Sequence, residues 1–588
     1  MRCKSFPGSQ GVKSRTGKIV FFLLLAFLLP PLLFTSLYAQ ETLGVKPTGR
    51  TGETHLPTLE EKRKTQPPKL VLPPVSPKER KEKGRPVIKV FARKIVITGN
   101  TVFSARELAK ITKPYVNRQL TSEDLEALRQ AITIHYIKKG YVNSGAIIPD
   151  QKIVNGVITL RVIEGKVDQI KVEGNKWFTD GYLQSRLALG TGPPVNIAPL
   201  QERLQLLQQN QLLDRLHAEL KPGIRPGESM LKVTVEERQP VKVEAGFDNY
   251  QSPSVGAERG WLNIAHRNLT GHGDILSLTY GRSEGVIPQL DISYTIPVNA
   301  HDTTLSMRYR KNDFDVVEEP FEPLDVESKS NIYQLSLRHP FYRSLTQEFA
   351  MSLTGERLWN RTFLLGEPFS FSPGAEDGES TVTAVRFSQE WAFRTQRQVV
   401  AARSRFSLGI NALDATIHNP SIADGRFFSW LGQFQWARVF RPWDMQLIFR
   451  TDLQLCNEPL LPLEQIAVGG RYSVRGYREN QMVRDEGLIA SLESRIPLIR
   501  NKPWAEYLQL APFLDFGKAW NRGVPTPSPR SISSVGLGLR WACTLMKSPF
   551  TLRPRLEIYW GFPLRDVDTP ENDLQDDGIH FQFVLAGF

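Results

Sequence analysis

The chain has 588 residues, a formal net charge of +13 and three cysteines, with a mean hydropathy of −0.29. The charge does not mark a nucleic-acid surface: residues 1–40 hold five Lys/Arg and no acid, and residues 41–86 hold eleven Lys/Arg against six acids, so ten of the surplus charges precede residue 87, whereas nucleic-acid binding needs them clustered on a folded face. Cys3 lies near the N-terminus, Cys456 and Cys543 can pair but show no metal-ligand spacing, and so few cysteines exclude a disulfide scaffold.

Residues 1–39 read as a secretory signal peptide. Arg2, Lys4, Lys13, Arg15 and Lys18 form a basic start, Ile19 to about Leu37 an apolar middle, and Ala39 a small residue before Gln40. No second apolar run is long enough for a membrane-spanning helix, which leaves alternating strands as the membrane architecture compatible with this polarity. Residues 40–86 read as a linker in which Pro67-Pro68, Pro73-Pro74, Pro77 and Pro86 are interleaved with charge, a composition that cannot bury a core. Within it, residues 58–66 are a short, charged and poorly amphipathic candidate helix after Pro57.

Residues 87–166 and 167–238 repeat one unit. Ile95-Val96-Ile97-Thr98-Gly99-Asn100-Thr101-Val102-Phe103 aligns with Ile170-Lys171-Val172-Glu173-Gly174-Asn175-Lys176-Trp177-Phe178 at an offset of 75. Each copy opens with a strand ending in the turn-forming pair Gly-Asn. An aromatic and a helix follow, then a second helix over 122–139 or about 198–212. Glu123 and Asp124 suit a helix start and Gly140 a helix stop. Alternating strands at 158–164 and 231–236 close the copies, giving the order β-α-α-β-β. With Gly-Asn-x-x-Phe at entry and Val162-Ile163-Glu164-Gly165 at the end of the first copy, the units resemble POTRA domains. Those are periplasmic modules of the BamA/TpsB superfamily of assembly and secretion barrels.

From residue 239 to 588 the pattern changes to sixteen alternating segments, at 241–247, 262–266, 275–280, 290–296, 304–309, 333–337, 348–353, 382–393, 404–410, 427–439, 445–455, 488–496, 508–516, 535–541, 552–559 and 580–588. An even number of such segments with a two-residue period predicts an all-β transmembrane barrel. Connections after even segments are tight (268–273, 298–302, 440–442), and those after odd segments are often long (311–328, 359–379, 412–425, 456–485, 517–531, 561–577). That is the asymmetry between periplasmic turns and outer loops. Trp436, Trp443, Trp541 and Trp560 near segment ends suit aromatic girdles. Gly281-Arg282-Ser283-Glu284-Gly285 has the spacing of a hydrolase nucleophile elbow but is followed by a strand, so it reads as a hairpin loop.

The longest connection holds Gly469-Gly470-Arg471-Tyr472-Ser473-Val474-Arg475-Gly476-Tyr477, and Phe513-Leu514-Asp515-Phe516-Gly517 lies on the thirteenth segment. A long loop inside a pore needs an anchor, and an arginine fork pairs with a carboxylate through two hydrogen bonds. The strand period puts Phe513, Asp515 and Gly517 on one face and the lipid-compatible Leu514 and Phe516 on the other, so Asp515 is expected to face the lumen in a partly buried pair with Arg475.

Val474, Arg475, Gly476 and Tyr477 resemble the Val-Arg-Gly-Tyr motif on loop six of the superfamily, and Phe513, Asp515 and Gly517 its Phe-x-Asp-x-Gly wall motif. Two POTRA units, a Pro-rich N-terminal segment and sixteen strands resemble the two-partner secretion transporters of the ShlB/FhaC/HecB type. The resemblance implies a bacterial outer-membrane protein with periplasmic POTRA domains, set in outer-membrane lipid. It would export an unfolded, large, β-helical exoprotein, with no enzymatic role, cofactor or metal. The terminal Phe588 resembles the signal read by the barrel-assembly machinery. In the family a helix plugs the lumen, and residues 58–66 are the candidate. The rival reading is a BamA-type insertase of other barrels, although such proteins usually carry more POTRA domains.

Overall fold

The computed structural model describes residues 69–72 and 89–587 apart from 320, 419–421, 548–550 and 570–572. The expected signal peptide, the candidate helix at 58–66 and Phe588 lie outside the described residues. Four residues of the linker are described, and three of them form a strand, β1 (Lys69–Val71).

The first repeat unit contains β2 (Val90–Ala92), β3 (Lys94–Thr98), α1 (Ala105–Thr112), β4 (Arg118–Leu120), α2 (Ser122–Lys138), β5 (Gly145–Ile147) and β6 (Val157–Ile163). A capping box starts α2: the Thr121 hydroxyl accepts from the Asp124 amide while the Asp124 carboxylate accepts from the Thr121 amide. Leu128, Ile132 and Tyr136, spaced four apart, share one buried helix face and pack with Ala146, Ile158, Leu160 and Val162 of the sheet.

The second unit contains β7 (Lys166–Glu173), α3 (Asp180–Ala188), α4 (Ile197–Gln208), β8 (Leu213–Pro222) and β9 (Glu228–Glu237). Helix α4 stops at Gln208, short of the expected end near 212, because the Asn210 side chain accepts the Leu212 amide at 3.0 Å and turns the chain, and Leu212 and Leu213 enter the core as the strand begins. The sheets run β3-β6-β5 and β7-β9-β8 in matching order, and β1 adds to the second beside β8.

The repeat extends to its chemistry. Asn100 bonds both the amide and the carbonyl of Phe103, and Asn175 donates to the carbonyl of Phe178, folding each Gly-Asn-x-x-Phe turn. The carboxylate ending each unit accepts the turn's free amides: Glu164 from Thr101 at 2.7 Å and Val102 at 3.2 Å, and Glu237 from Lys176 at 3.0 Å, Trp177 at 2.6 Å and Phe178 at 3.2 Å. Burial disfavours ionisation of Glu164, yet the bonds from Thr101, Tyr136 and Val102 outweigh it and hold the carboxyl below its ordinary value. Its stabilising contribution is therefore complete above the unfolded carboxyl pKa and lost as pH falls through the lowered folded value. Glu164→Gln is expected to destabilise this unit by about 1–2 kcal/mol at neutral pH. The deficit should shrink in acid below about pH 4, as checked by urea-dependent limited proteolysis of the full chain.

The second unit sits on the barrel's periplasmic turns. Thr179 donates its amide to Gly271 at 3.0 Å, and Arg186, stacked on Tyr182 at 3.7 Å, reaches Asp302 at 2.8 Å and the Asn299 carbonyl at 3.1 Å.

The barrel closes sixteen main antiparallel strands, from Val241–Asp248 to Ile579–Gly587, with these two paired from Val243↔Gly587 to Asp248↔Gln582. Inward positions are mostly polar and outward ones apolar. On strand Glu379–Arg394, for example, Arg386 and Ser388 are buried while Val385, Phe387 and Trp391 face out. Two strand pairs extend beyond the expected segments, with partners meeting at Asp315↔Glu327 and at Arg361↔Glu379, so the outer connections 311–328 and 359–379 are shorter loops on taller hairpins. Polar cross-strand pairs carry the ladder upward, such as Tyr309 to Asn331 at 2.8 Å and Ser328 to Asn360 at 2.9 Å. Ser283 lies between strands Ile275–Arg282 and Val286–Pro297, in a hairpin connection. Cys456 and Cys543 are separate, buried free thiols. Among the described residues no helix is long and apolar enough to cross a membrane.

Candidate functional site

Loop six joins strands Met445–Cys456 and Glu486–Lys502 and folds into the barrel, narrowing first into a ribbon that pairs Ile466–Val468 with Met482–Arg484. The ribbon presents Val468 and Met482 to an apolar cluster with Val474, Tyr477, Ile489, Ala519 and Ile532, so the loop seats on the wall by burial as well as by charge.

Arg475 is the centre of this arrangement. Its guanidinium grips Asp515 with Nε to Oδ2 at 2.7 Å and Nη2 to Oδ1 at 2.9 Å, and its own amide adds a bond to Oδ2 at 3.1 Å. The remaining fork nitrogen donates to Glu493, and Nη2 also reaches the Ser491 hydroxyl at 3.2 Å. The plane lies 3.7 Å from the Phe513 ring centre. Arg475 is 2% exposed and Asp515 0%, a fuller burial than the partly buried pair expected from the sequence. Ionic bonds closed off in this way are strong only because each carboxylate oxygen has a donor.

The flanking motif residues make the fit. Gly476 has φ +87°, and a Cβ there would stand 2.8 Å from the carbonyl carbon of Gly561, so backbone meets backbone. A Cβ on Gly517 would stand 2.3 Å from Val468 and 2.8 Å from Val474, which places the wall glycine directly under the loop. The Tyr477 hydroxyl lies 3.0 Å from the Ser533 carbonyl and 2.9 Å from that of Arg565. Phe513 is buried inward, whereas Leu514 and Phe516 are exposed on the outer face.

Several members of the site escaped the sequence reading. Glu493 lies on the neighbouring strand in register with Phe513 and also accepts from Arg495 at 2.6 Å. Arg471, stacked 4.0 Å from the Tyr559 ring, bonds Glu557 at 2.9 Å. Arg478 bonds Asp576 at 2.6 Å and Glu318 at 2.7 Å, tying loop six to two other outer loops. At the loop's start, Glu464 accepts from Arg386 at 2.7 Å and 3.1 Å, and Arg386 also holds Glu356 at 2.6 Å. The recurrence of Arg at 471, 475 and 478 in one loop was the signal available for two of these. Their carboxylates come from distant strands and loops, and no local spacing marks them.

Residues 227–541 match the family described as haemolysin secretion/activation protein ShlB/FhaC/HecB. The chain belongs to this family. Residues 90–165 match the ShlB-type POTRA domain. The haemolysin transporter protein ShlB of Serratia marcescens is 24% identical over 511 residues, covering 82% of this chain and 84% of the relative. The outer membrane transporter CdiB of Dickeya dadantii (strain 3937) is 24% identical over 416 residues, covering 67% and 70%. The solved structure of CdiB from Escherichia coli shares the fold, with a TM-score of 0.63 at 19% identity over 87% of this chain and 93% of that one. As a ShlB/FhaC/HecB protein the chain is an outer-membrane transporter with its POTRA domain on the periplasmic side.

Proposed function

We propose that this transporter exports one large, β-helical exoprotein, received unfolded by the POTRA units and passed through the barrel past loop six. The observation that carries the reading is the anchoring of a family loop inside a closed barrel by Arg475, Asp515 and Glu493. In this role Val474, Gly476 and Tyr477 seat the loop on Phe513 and Gly517, and Phe588 serves the barrel-assembly machinery during insertion into lipid. The chain itself performs no catalysis, and folding of the exported protein outside drives net movement. The test compares proteins released by cells with and without this gene. Loss of one large protein from the medium, with other outer-membrane barrels at normal levels, is the expected result. An unchanged medium with depleted barrels would instead identify an insertase.

Client capture is assigned to the edge strand β5 and the neighbouring helix α2. Ile147 on β5, Ile148 beyond it and Ile134 on α2 are exposed. Among the described residues β5 pairs only with β6, so its outer side offers main-chain groups to an incoming strand and nearby apolar surface to its side chains. Ile147→Asp is expected to lower release of the exoprotein by roughly tenfold while barrel assembly, read by heat-modifiable migration, stays normal.

A further inference from the structure

Two neighbouring turns of the barrel concentrate positive charge. Residues 391–402, around one turn, and 430–443, leading into the next, hold the arginines 394, 397, 438 and 441 and no acid. Asp444, the next residue, is bonded to Arg500. Both turns lie at the periplasmic end, because each follows an even-numbered strand, as does the 267–273 turn that meets the second POTRA unit. The two turns adjoin. The Val439 amide donates to the Arg397 carbonyl at 2.8 Å, and Arg438 is the register partner of Gln398. Partial burial, with the like charges of Arg441 and Arg438 nearby, holds the Arg397 guanidinium below its ordinary value. An anion bound there would relieve that repulsion.

The setting of these arginines is the membrane. On strand Phe428–Phe440, Phe434, Trp436, Arg438 and Phe440 alternate with buried lumenal residues and so face lipid. Arg438 stands about 7 Å beyond Trp436 toward the turn, and its guanidinium lies 5.3 Å from the Phe440 ring centre. The side chain is therefore directed away from the apolar belt and toward the aqueous edge. Trp391 and Trp443 are exposed on the same rim, at the depth where aromatic rings meet lipid headgroups. A phosphate at that depth accepts paired N–H donors from arginine forks. The adjoining apolar rows have nothing to offer a soluble anion and suit acyl chains.

We propose that Arg397, Arg438 and Arg441 bind the phosphate group of an anionic phospholipid in the periplasmic leaflet, whose acyl chains lie along Trp436 and Phe434. The lipid bridges two neighbouring hairpins at the mouth of the barrel.

The purified full chain in neutral detergent is titrated with phosphatidylglycerol and, separately, with phosphatidylcholine, and bound lipid is counted by native mass spectrometry. The wild type is expected to retain phosphatidylglycerol at least about tenfold more tightly than phosphatidylcholine. The triple change Arg397→Gln, Arg438→Gln, Arg441→Gln, its folding checked by heat-modifiable migration, should lose that preference. Excess inorganic phosphate should leave wild-type binding unchanged, and competition by it would overturn the assignment to lipid. A preference retained by the folded triple variant would overturn the proposal, and a fall in its export alongside would give the arginines to acidic segments of the exported polypeptide instead. A second measurement needs no variant. Phosphatidylglycerol with a photoreactive headgroup, mixed with the wild type in phosphatidylcholine vesicles, should label residues 391–402 and 430–443. Labelling confined to other segments would sink the proposal.

Discussion

Arg475→Ala is expected to abolish most export while leaving the barrel assembled. The substitution strands the buried carboxylate of Asp515 and leaves the neighbouring buried Glu493 with Arg495 as its remaining hydrogen-bonded arginine. Breaking a buried ion pair from one side costs about 3–5 kcal/mol, or a shift of roughly two to four orders of magnitude in loop seating. The sixteen-strand ladder does not depend on that contact, so heat-modifiable migration should remain normal. Arg475→Lys should rescue poorly, because a single ammonium cannot reproduce a fork that serves Asp515 and Glu493 together. The reciprocal swap, Arg475→Asp with Asp515→Arg, should fail as well, since the new carboxylate would face Glu493. Adding Glu493→Gln to the swap should recover part of the export. Normal secretion by Arg475→Ala would remove this residue from the mechanism, and a swap with Glu493→Gln that restores nothing would undo the pairing argument.

Much of this was legible because it is periodic or local. The barrel strands announce themselves by alternation, and the inward side of the wall motif follows from the placement of Leu514 and Phe516 opposite Asp515. The repeat was visible in Gly99-Asn100 and Gly174-Asn175, and the turn chemistry repeats with it. What was hidden depends on contacts distant in sequence. Glu493 looks like one more charged strand residue until Phe513 is paired across from it. Glu464 and Arg386 are 78 positions apart and meet only when the loop enters the lumen. The fate of residues 69–71 was hidden for a different reason. The Pro-rich frame around them reads as a linker, yet the short apolar run Leu70-Val71-Leu72 can finish an open edge that no sequence window reveals. The heights of the outer hairpins were missed because polar strand continuations look like loops once they rise above the apolar belt.

Arg386→Gln is expected to be the second most damaging change in the loop-six system, and more damaging than Glu464→Gln. Arg386 lies on the eighth barrel strand, five strands from the one that carries Asp515, so Glu464 and Arg475 tether the same loop at two separated points of the wall. Loss of Glu464 removes one bidentate contact but leaves Arg386 paired with Glu356 at 2.6 Å and bonded to the Ser407 hydroxyl at 2.8 Å. The charge stays compensated, and the change should cost about 1–3 kcal/mol. Loss of Arg386 removes the cation that buried Glu356 and Glu464 share and leaves Glu356 with only the longer contact to Arg310 at 3.7 Å, a deficit of about 3–5 kcal/mol. Export should therefore fall modestly in Glu464→Gln and steeply in Arg386→Gln. The triple change Arg386→Gln, Glu356→Gln, Glu464→Gln should recover toward the milder level, because uncharged amides of similar shape remove the stranded charge. Conductance of the purified barrel in planar bilayers gives a second readout, with Arg386→Gln opening more often than the wild type as loop six loses one of its tethers to the wall. Equal export by Glu464→Gln and Arg386→Gln would show that the stranded carboxylates do not govern the loop. Unchanged conductance in Arg386→Gln would show that the other loop-six contacts keep it seated without this tether.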